Sequence, residues 1–427
     1  MEKYRQRVAD AMLSRKLESM GAVLVEGPKW CGKTTTCKQF AKSVLDLSDP
    51  DVLDRVTALA EIDIKRFLEG DTPRLIDEWQ EIPKFWDAIR HRVDSLDGAG
   101  YFLMTGSAVV PEDKRKQIHH SGTGRISRLR MRPMSLWESG ESSGTISMSA
   151  LFGGKEVVTE NSKEHTLDEI AYLICRGGWP KAVERGGDVA LDYAKEYVNA
   201  VAESDISRVD DNPRSPVRVR RLLRSLSRMQ ATQASLASIR RDMASNDESS
   251  LSEVTVASYH DALAKIFVVE NARAWSPNLR AKSSVRTSET RYFVDPSIAT
   301  ASLGIGPGNL LDDLATFGLL FETMAVRDLR VYADAIGGGV EHYHDKTGLE
   351  CDCVIHLPNG DFALVEVKLG GETLIEEGVK TLDRLSTLIN GKLSRRPAFK
   401  MVLTAVGGYA YMRKDGIWVA PIGSLCP

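Results

Sequence analysis

Gly27-Pro28-Lys29-Trp30-Cys31-Gly32-Lys33-Thr34 fits the pattern G-x-x-x-x-G-K-[ST], a spacing suited to holding a row of phosphates. Gly27 and Gly32 have no Cβ, so the backbone can turn tightly at both ends of the loop. The loop N–H groups then point inward at phosphate oxygens, helped by the positive end of the following helix. Pro28, Lys29, Trp30 and Cys31 fill the variable positions, and Thr35 completes the expected cradle. Lys33 is expected to reach the β- and γ-phosphates, and the Thr34 hydroxyl to hold Mg²⁺.

A second chemical signal is Leu75-Ile76-Asp77-Glu78, an apolar strand ending in two acids. With a phosphate loop upstream, Asp77 is placed to hold Mg²⁺, usually through water. Glu78 is placed to orient or deprotonate the attacking water. Taken alone, the pair would be an ordinary acidic strand end. The third signal, Tyr101-Phe102-Leu103-Met104-Thr105-Gly106-Ser107, ends an apolar strand in small polar residues. Ser107 or Thr105 could contact the γ-phosphate or the water; a plain strand-ending turn is the equal alternative.

These residues need a strand–loop–helix frame. Residues 22–26 form a short apolar run suited to a buried strand. Residues 34–45 suit a helix with Cys37, Phe40, Ala41 and Val44 on one face. Residues 4–19 read as a helix covering the nucleotide domain.

The chain has 427 residues and a net charge of −3, too long for one ordinary core. Three domains are expected, at residues 1–145, 146–305 and 306–427. Basic stripes are local: residues 114–132 hold seven Lys or Arg and no acid, and residues 208–241 hold nine arginines against Asp210 and Asp211. Such stripes can meet phosphate backbones or form solvated helix faces. The six cysteines form no C-x-x-C pair and no zinc spacing, as expected of reduced thiols in a cytoplasmic protein. Cys351 and Cys353 should share one side of a strand, and Cys31 in the loop could be oxidation-sensitive. No signal peptide or membrane-length apolar run is visible, so no membrane partner is expected.

In the middle region, Thr166 and Glu169 make a capping-box signature, and Arg176-Gly177-Gly178-Trp179-Pro180 reads as a tight turn. Residues 216–245 read as helical and basic. Val256, Tyr259, Leu263 and Ile266 recur at helical spacing, and Phe267-Val268-Val269 then turns strand-like. That is the outline of a winged helix. Its last helix is poor in Arg, Asn and Gln, which favours a scaffold or interaction role over DNA readout.

In the last region, the run at residues 350–357 meets a Pro358-Asn359-Gly360-Asp361 turn and returns from Phe362 to Leu369, a hairpin. Asp352, Glu366 and Lys368, with Glu322 as a further carboxylate, match the core of PD-(D/E)xK nucleases, where the acids bind divalent ions. The match carries a condition. If Leu357 pairs with Phe362, Asp352 faces Val367 and lies on the opposite face from Glu366. An odd-length loop or a bulge must shift the register by one. The alternative is a nuclease-like fold kept for binding or packing.

The segments GPKWCGKTTT, LIDEWQEIP, LMTGSA, GRISRLRMRPMSLWE, RGGWPKAV, RYFVDPSIA, HYHDKTGLECDCVI and ALVEVKLG follow one another along nearly the whole chain. In that order the chain resembles bacterial and archaeal AAA-type ATPases with a C-terminal domain of unknown function related to restriction endonucleases. The resemblance implies an α/β protein: an AAA-type P-loop NTPase domain, a helical and winged-helix middle domain, and a PD-(D/E)xK nuclease-like α/β domain. It implies ATP on the loop, Mg²⁺ at Thr34 and Asp77, and catalysis by Glu78. Arg125 becomes a candidate finger or sensor reaching ATP in cis or from a neighbour, with Arg128 also open. The nuclease-like acids match at Asp352 and Glu366, with Lys368 beside them. AAA-type sites often lie at subunit interfaces, which leaves an oligomer open, with DNA or a protein as partner. The leading expectation is an ATPase coupled to its C-terminal modules. The alternatives are an ATP-regulated, metal-dependent nuclease and a non-catalytic, ATP-switched binding protein.

Overall fold

The computed structural model describes residues 4–106, 110, 112–155, 163–210, 212, 214–244, 252–277, 288–390 and 396–427. Five short strands, Ala22–Glu26 (β1), Ser43–Asp46 (β2), Arg74–Asp77 (β3), Phe102–Gly106 (β4) and Ile126–Arg130 (β5), form a parallel sheet in the order β2-β3-β4-β1-β5. The inner strands are almost wholly apolar because both faces are covered. Leu24, Ile76, Met104 and Phe85 pack on one side, and Val23, Leu75, Leu103 and Leu13 on the other. Because β4 lies between β1 and β3, Glu26 pairs with Gly106 and Ile76 with Met104. The carboxyl ends of three strands therefore meet at one sheet edge, where open α/β sheets bind ligands.

The helix after the loop is shorter than its periodicity implies. It spans Lys33–Phe40, Ala41 is extended, and Val44 belongs to β2. The ladder Val44↔Leu75 and Leu45↔Ile76 captures the segment, so pairing overrides the helical period. The cover helix runs Val8–Ser19.

The middle region is mostly helical. Thr166 caps helix Leu167–Arg176 through a reciprocal bond pair with Glu169. The stretch expected as one helix over 216–245 is two, Pro216–Arg228 and Leu236–Ala244. Between them Ala231 turns left-handed, and its N–H bonds Arg291 O. The buried Gln230 side chain accepts from Phe293 N. The break thus pairs residues 230–232 with 291–293, which no local pattern announces. Helix Glu253–Lys265 follows, and antiparallel bridges join Val269 to Phe293 and Ala272 to Thr290.

The short strand Ile146–Ser147 (β6) pairs with the last one, Leu425–Cys426 (β13). Helix Leu314–Ala335 leads into Gly339–His344 (β7), Glu350–His356 (β8) and Phe362–Lys368 (β9). Helix Glu372–Asn390 then crosses to Lys400–Thr404 (β10), before Tyr411–Met412 (β11) and Ile417–Pro421 (β12). The second sheet has the order β11-β12-β10-β9-β8-β7. One core runs from Val8 and Leu136 through Trp179 and Tyr197 to Phe321, Val365 and Leu425. The segments on either side of residue 305 therefore share an interior. Among the described residues no helix is long and apolar enough to cross a membrane.

An ionic knot sits inside that core. Arg327 contacts Asp295 at 2.9 Å and Asp328 at 2.8 Å, all three fully buried. Asp295 also accepts from Gly178 N, Ser297 N and Ser297 Oγ. Asp328 accepts from Leu136 N. A Cβ on Gly178 would lie 2.1 Å from Met134 O, which is why the backbones can close. Removing one partner of a buried pair strands the other charge, at a cost of about 3–5 kcal/mol. Chemical denaturation of Arg327→Met should show a loss of about that size; an unchanged midpoint would contradict the knot's role.

Candidate functional site

The loop joins β1 to the helix Lys33–Phe40 with both glycines in conformations that exclude side chains. Gly27 has φ +154°, and a Cβ there would meet Met131 O at 2.1 Å. Gly32 has φ +100° and caps the helix. Lys33 is only 6% exposed, and its Nζ donates to Gly27 O (3.0 Å) and Pro28 O (2.8 Å). Thr34 Oγ1 donates to Asp77 Oδ1 at 2.9 Å. Thr105 Oγ1 donates to the same oxygen. The loop, β3 and β4 therefore meet on one carboxylate.

Glu78 follows with a left-handed backbone, φ +53°, a conformation that costs a non-glycine residue about 1–3 kcal/mol. Its carboxylate accepts from Gln80 Nε2. It lines a cavity of about 870 Å³ together with Lys33, Thr34 and Thr35. The other walls come from outside the sheet: Tyr4, Arg5 and Arg7 from the N-terminal segment, and Trp179, Lys181, Glu184 and Tyr193 from the middle region.

Sequence reasoning missed the residues that anchor the loop. Arg7 donates to Cys31 O (2.7 Å) and Arg132 O (2.8 Å) and pairs with Glu138 (2.9 Å). Lys29 pairs with Asp205 at 2.6 Å. Trp30 meets Tyr197 edge-on, and Tyr197 stacks on Trp179 at 4.3 Å. Each partner is remote along the chain, so only the motif quality of RGGWP hinted at them.

Other expected residues fare differently. Ser107 lies outside the described residues; Thr105 is the polar side chain at the end of β4 and holds Asp77. Arg125 does not reach the loop of its own chain. Its carbonyl accepts from Ala22 N at the start of β1, while the loop leaves the far end of that strand, about 16 Å away. Its guanidinium pairs with Asp94 at 2.6 Å. Arg128 pairs with Glu26 and lies over Trp86. Cys31 is fully buried, so it is not the accessible thiol that oxidation needs.

The donor set fits a nucleotide with its cation. The loop N–H groups and Lys33 would hold phosphates, and Thr34 and Asp77 would hold Mg²⁺. The close approach of Gly27 to Met131 shows a loop built to exclude side chains.

The second sheet gathers the other acids. His356 pairs with Phe362 and Cys353 with Val365. The connecting loop has five residues, which supplies the one-residue shift. Asp352 then lies beside Glu366, and its Oδ2 accepts from Val367 N at 2.8 Å. A bulge adds to this. Glu341 pairs with Val354 but Tyr343 with Cys351, so Asp352 and Cys353 together oppose His342. For the same reason Cys351 and Cys353 do not share a side: Cys351 packs with Val354 and Leu364, and Cys353 with Ile355 and Val365. Lys368 Nζ lies 2.9 Å from Glu366 and 3.6 Å from Asp352, while Glu322 accepts from the Tyr292 hydroxyl at 2.5 Å.

Burial, then the charge of Asp352, pushes Glu366 up to about 8 and Glu322 well above the usual carboxylate range. Burial opposes the Lys368 charge, but Asp352 and Glu366 outweigh it and raise the lysine. Lys368 is paired with two of the three carboxylates, Glu366 and Asp352. Among the described residues no three His, Cys, Asp or Glu side chains converge as a metal set. Glu322, Asp352 and Glu366 as placed therefore do not fit a bound metal.

Three family models match parts of the chain: an AAA domain at residues 19–139, a domain of unknown function (DUF8612) at 167–309, and a domain of unknown function (DUF4143) at 317–425. A Walker-type ATPase of Pyrococcus abyssi is similar at 15% identity over 70% of this chain and 96% of its own, with a TM-score of 0.44. The ORC2 protein of Aeropyrum pernix in its ADP form is similar at 13% identity over 76% of this chain and 97% of its own, with a TM-score of 0.30. No curated protein matches. The AAA match spans Lys33, Asp77, Glu78 and Thr105, so the N-terminal part is an AAA-type α/β domain with a phosphate loop.

The raised Glu366 carboxyl gives a pH prediction. A carboxyl whose folded value exceeds its unfolded one stabilises fully below the unfolded value of about 4.3 and loses that contribution as pH climbs through the folded value. Relative to Glu366→Gln, the wild type should lose stability from about pH 5 to 8. Parallel stability curves for the two proteins would contradict this.

Proposed function

We propose that the chain is a Mg²⁺-dependent ATPase whose nucleotide state is passed to its middle and C-terminal modules. One observation carries the reading: Thr34, Asp77 and Thr105 are joined by hydrogen bonds at the sheet edge next to Lys33. Bound Mg²⁺ would neutralise charge building on the phosphates. Lys33 would leave its two carbonyl partners for phosphate oxygens. Glu78 would take a proton as the water oxygen bonds to the γ-phosphorus and the bond to the β–γ bridging oxygen breaks, its electron pair leaving on ADP. Trp30, Lys29 and Arg7 tie the loop to the rest of the molecule and support transmission.

Finer parts of the proposal concern the modules, which we take as residues 146–305 and 306–427. The helices from Pro216 to Lys265 followed by antiparallel bridges support a winged-helix reading. Arg214, Arg220 and Arg228 are paired with Asp210, Glu203 and Asp242. That neutralisation favours a protein contact over a DNA backbone. In the last module a nuclease-like framework is supported by the hairpin register, with Lys368 pairing with Asp352 and Glu366 in place of a metal ion.

Lys33→Ala should abolish ATP binding, measured by calorimetry on the full chain. Glu78→Gln should still bind ATP while kcat falls about 10²–10⁴-fold; turnover at the wild-type rate would remove Glu78 as base. Supercoiled plasmid incubated with Mn²⁺ should stay intact. Nicking that disappears in Asp352→Ala would replace the framework reading with a nuclease.

A further inference from the structure

Glu78 heads the single turn Trp79–Glu81 in a left-handed conformation, and the far torsion of its long side chain is broad, so the carboxylate needs a partner to hold it in one direction. Gln80 supplies the restraint. Its side chain is buried, and its Nε2 donates to Glu78 Oε2. An amide can face a carboxylate only with its N–H group, which fixes the flip of the carboxamide. Gln80 Oε1 is thereby turned inward, where it has no hydrogen-bond partner. Space for it exists because residue 106 is glycine: a Cβ there would lie 2.7 Å from Gln80 Oε1 and 3.2 Å from Trp79 Nε1. Trp79 is itself held against Trp86, with ring centroids 5.1 Å apart. The carboxamide is therefore wedged between the turn of the paired acids and the last residue of β4.

We propose that Gln80 is a positioning residue for ATP hydrolysis: it ties down one oxygen of Glu78 so that the other, Oε1, faces the cavity and receives the proton from water. The inference rests on the ATPase reading above. An unsatisfied buried amide oxygen is unfavourable, and it is retained here because the same carboxamide holds the base. Gly106 is part of the arrangement, since a side chain at that position would expel the carboxamide.

The experiment measures ATP binding and steady-state turnover on the full chain for wild type, Gln80→Met, Gln80→Ala and Glu78→Gln. Gln80→Met keeps a side chain of similar length and removes the carboxamide, donor and unpartnered oxygen alike, so it serves if the alanine variant fails to fold. Expected is unchanged ATP affinity and KM with kcat lowered by up to about 100-fold, the scale of a misplaced catalytic group. Adding Gln80→Met to Glu78→Gln should lower kcat no further, because the base it positions is already gone. Gln80→Met turning over at the wild-type rate overturns the proposal. So does a loss of binding and kcat together, which marks a structural role. Wild-type protein that binds ATP without hydrolysing it overturns the hydrolase reading itself, a result separable from both.

Discussion

The nucleotide site depends on one carboxylate that is almost wholly buried. Asp77 is 3% exposed, and a buried acid needs donors. It has two hydroxyls on the same oxygen, Thr34 from the loop helix and Thr105 from β4. With β4 inserted between β1 and β3, the loop at the end of β1 and the acids at the end of β3 lie two strands apart, and Thr105 spans the gap. Both hydroxyls fix the Asp77 carboxylate at the sheet edge, next to the loop that carries Thr34.

The loop is anchored as much by remote segments as by its own sheet. Arg7 holds the Cys31 carbonyl and Glu138. On the other side, Trp30 meets Tyr197, Tyr197 stacks on Trp179, and Trp179 Nε1 bonds Ser297 Oγ. Ser297 in turn bonds Asp295, which pairs with Arg327. These contacts form an unbroken path from the phosphate loop to the helix at the centre of the shared core. A path of packed rings and buried ion pairs has few soft joints, so displacement at Trp30 has a physical route to that helix. The segments RGGWP and VDPS both lie on this path, through Gly178, Trp179, Asp295 and Ser297.

What could be read from residues alone was local. The loop, the acid pair, the capping box at Thr166 and the hairpin turn each lie within a few neighbouring positions, and glycine, proline and charge mark them directly. What local patterns do not carry is what pairs with what. Val44 has a helical period but joins a parallel ladder. Arg125 follows a promising Gly124, yet parallel register places it at the opposite end of β1 from its own chain's loop, which bears on reach in cis and not on reach from a neighbour. Arg7, Asp205 and Tyr197 are invisible because their partners are far along the chain, and Gln80 is visible only once Gly106 is seen beside it.

The second sheet shows how one residue of register changes electrostatics. With an even loop, Asp352 would face away from Glu366 and Lys368 would neutralise Glu366 alone. The five-residue loop and the bulge bring Asp352 in, and the lysine is then shared. Glu322 approaches from the helix on the sheet's other flank, where it accepts from the Tyr292 hydroxyl and feels the charges of Asp352 and Lys368. Burial and the neighbouring acid Asp352 raise both the Glu366 and the Glu322 carboxyls, which favours their neutral forms. A divalent ion would have to displace both Lys368 contacts before it could bind. The cluster as built is closer to a satisfied polar core than to a ready metal site.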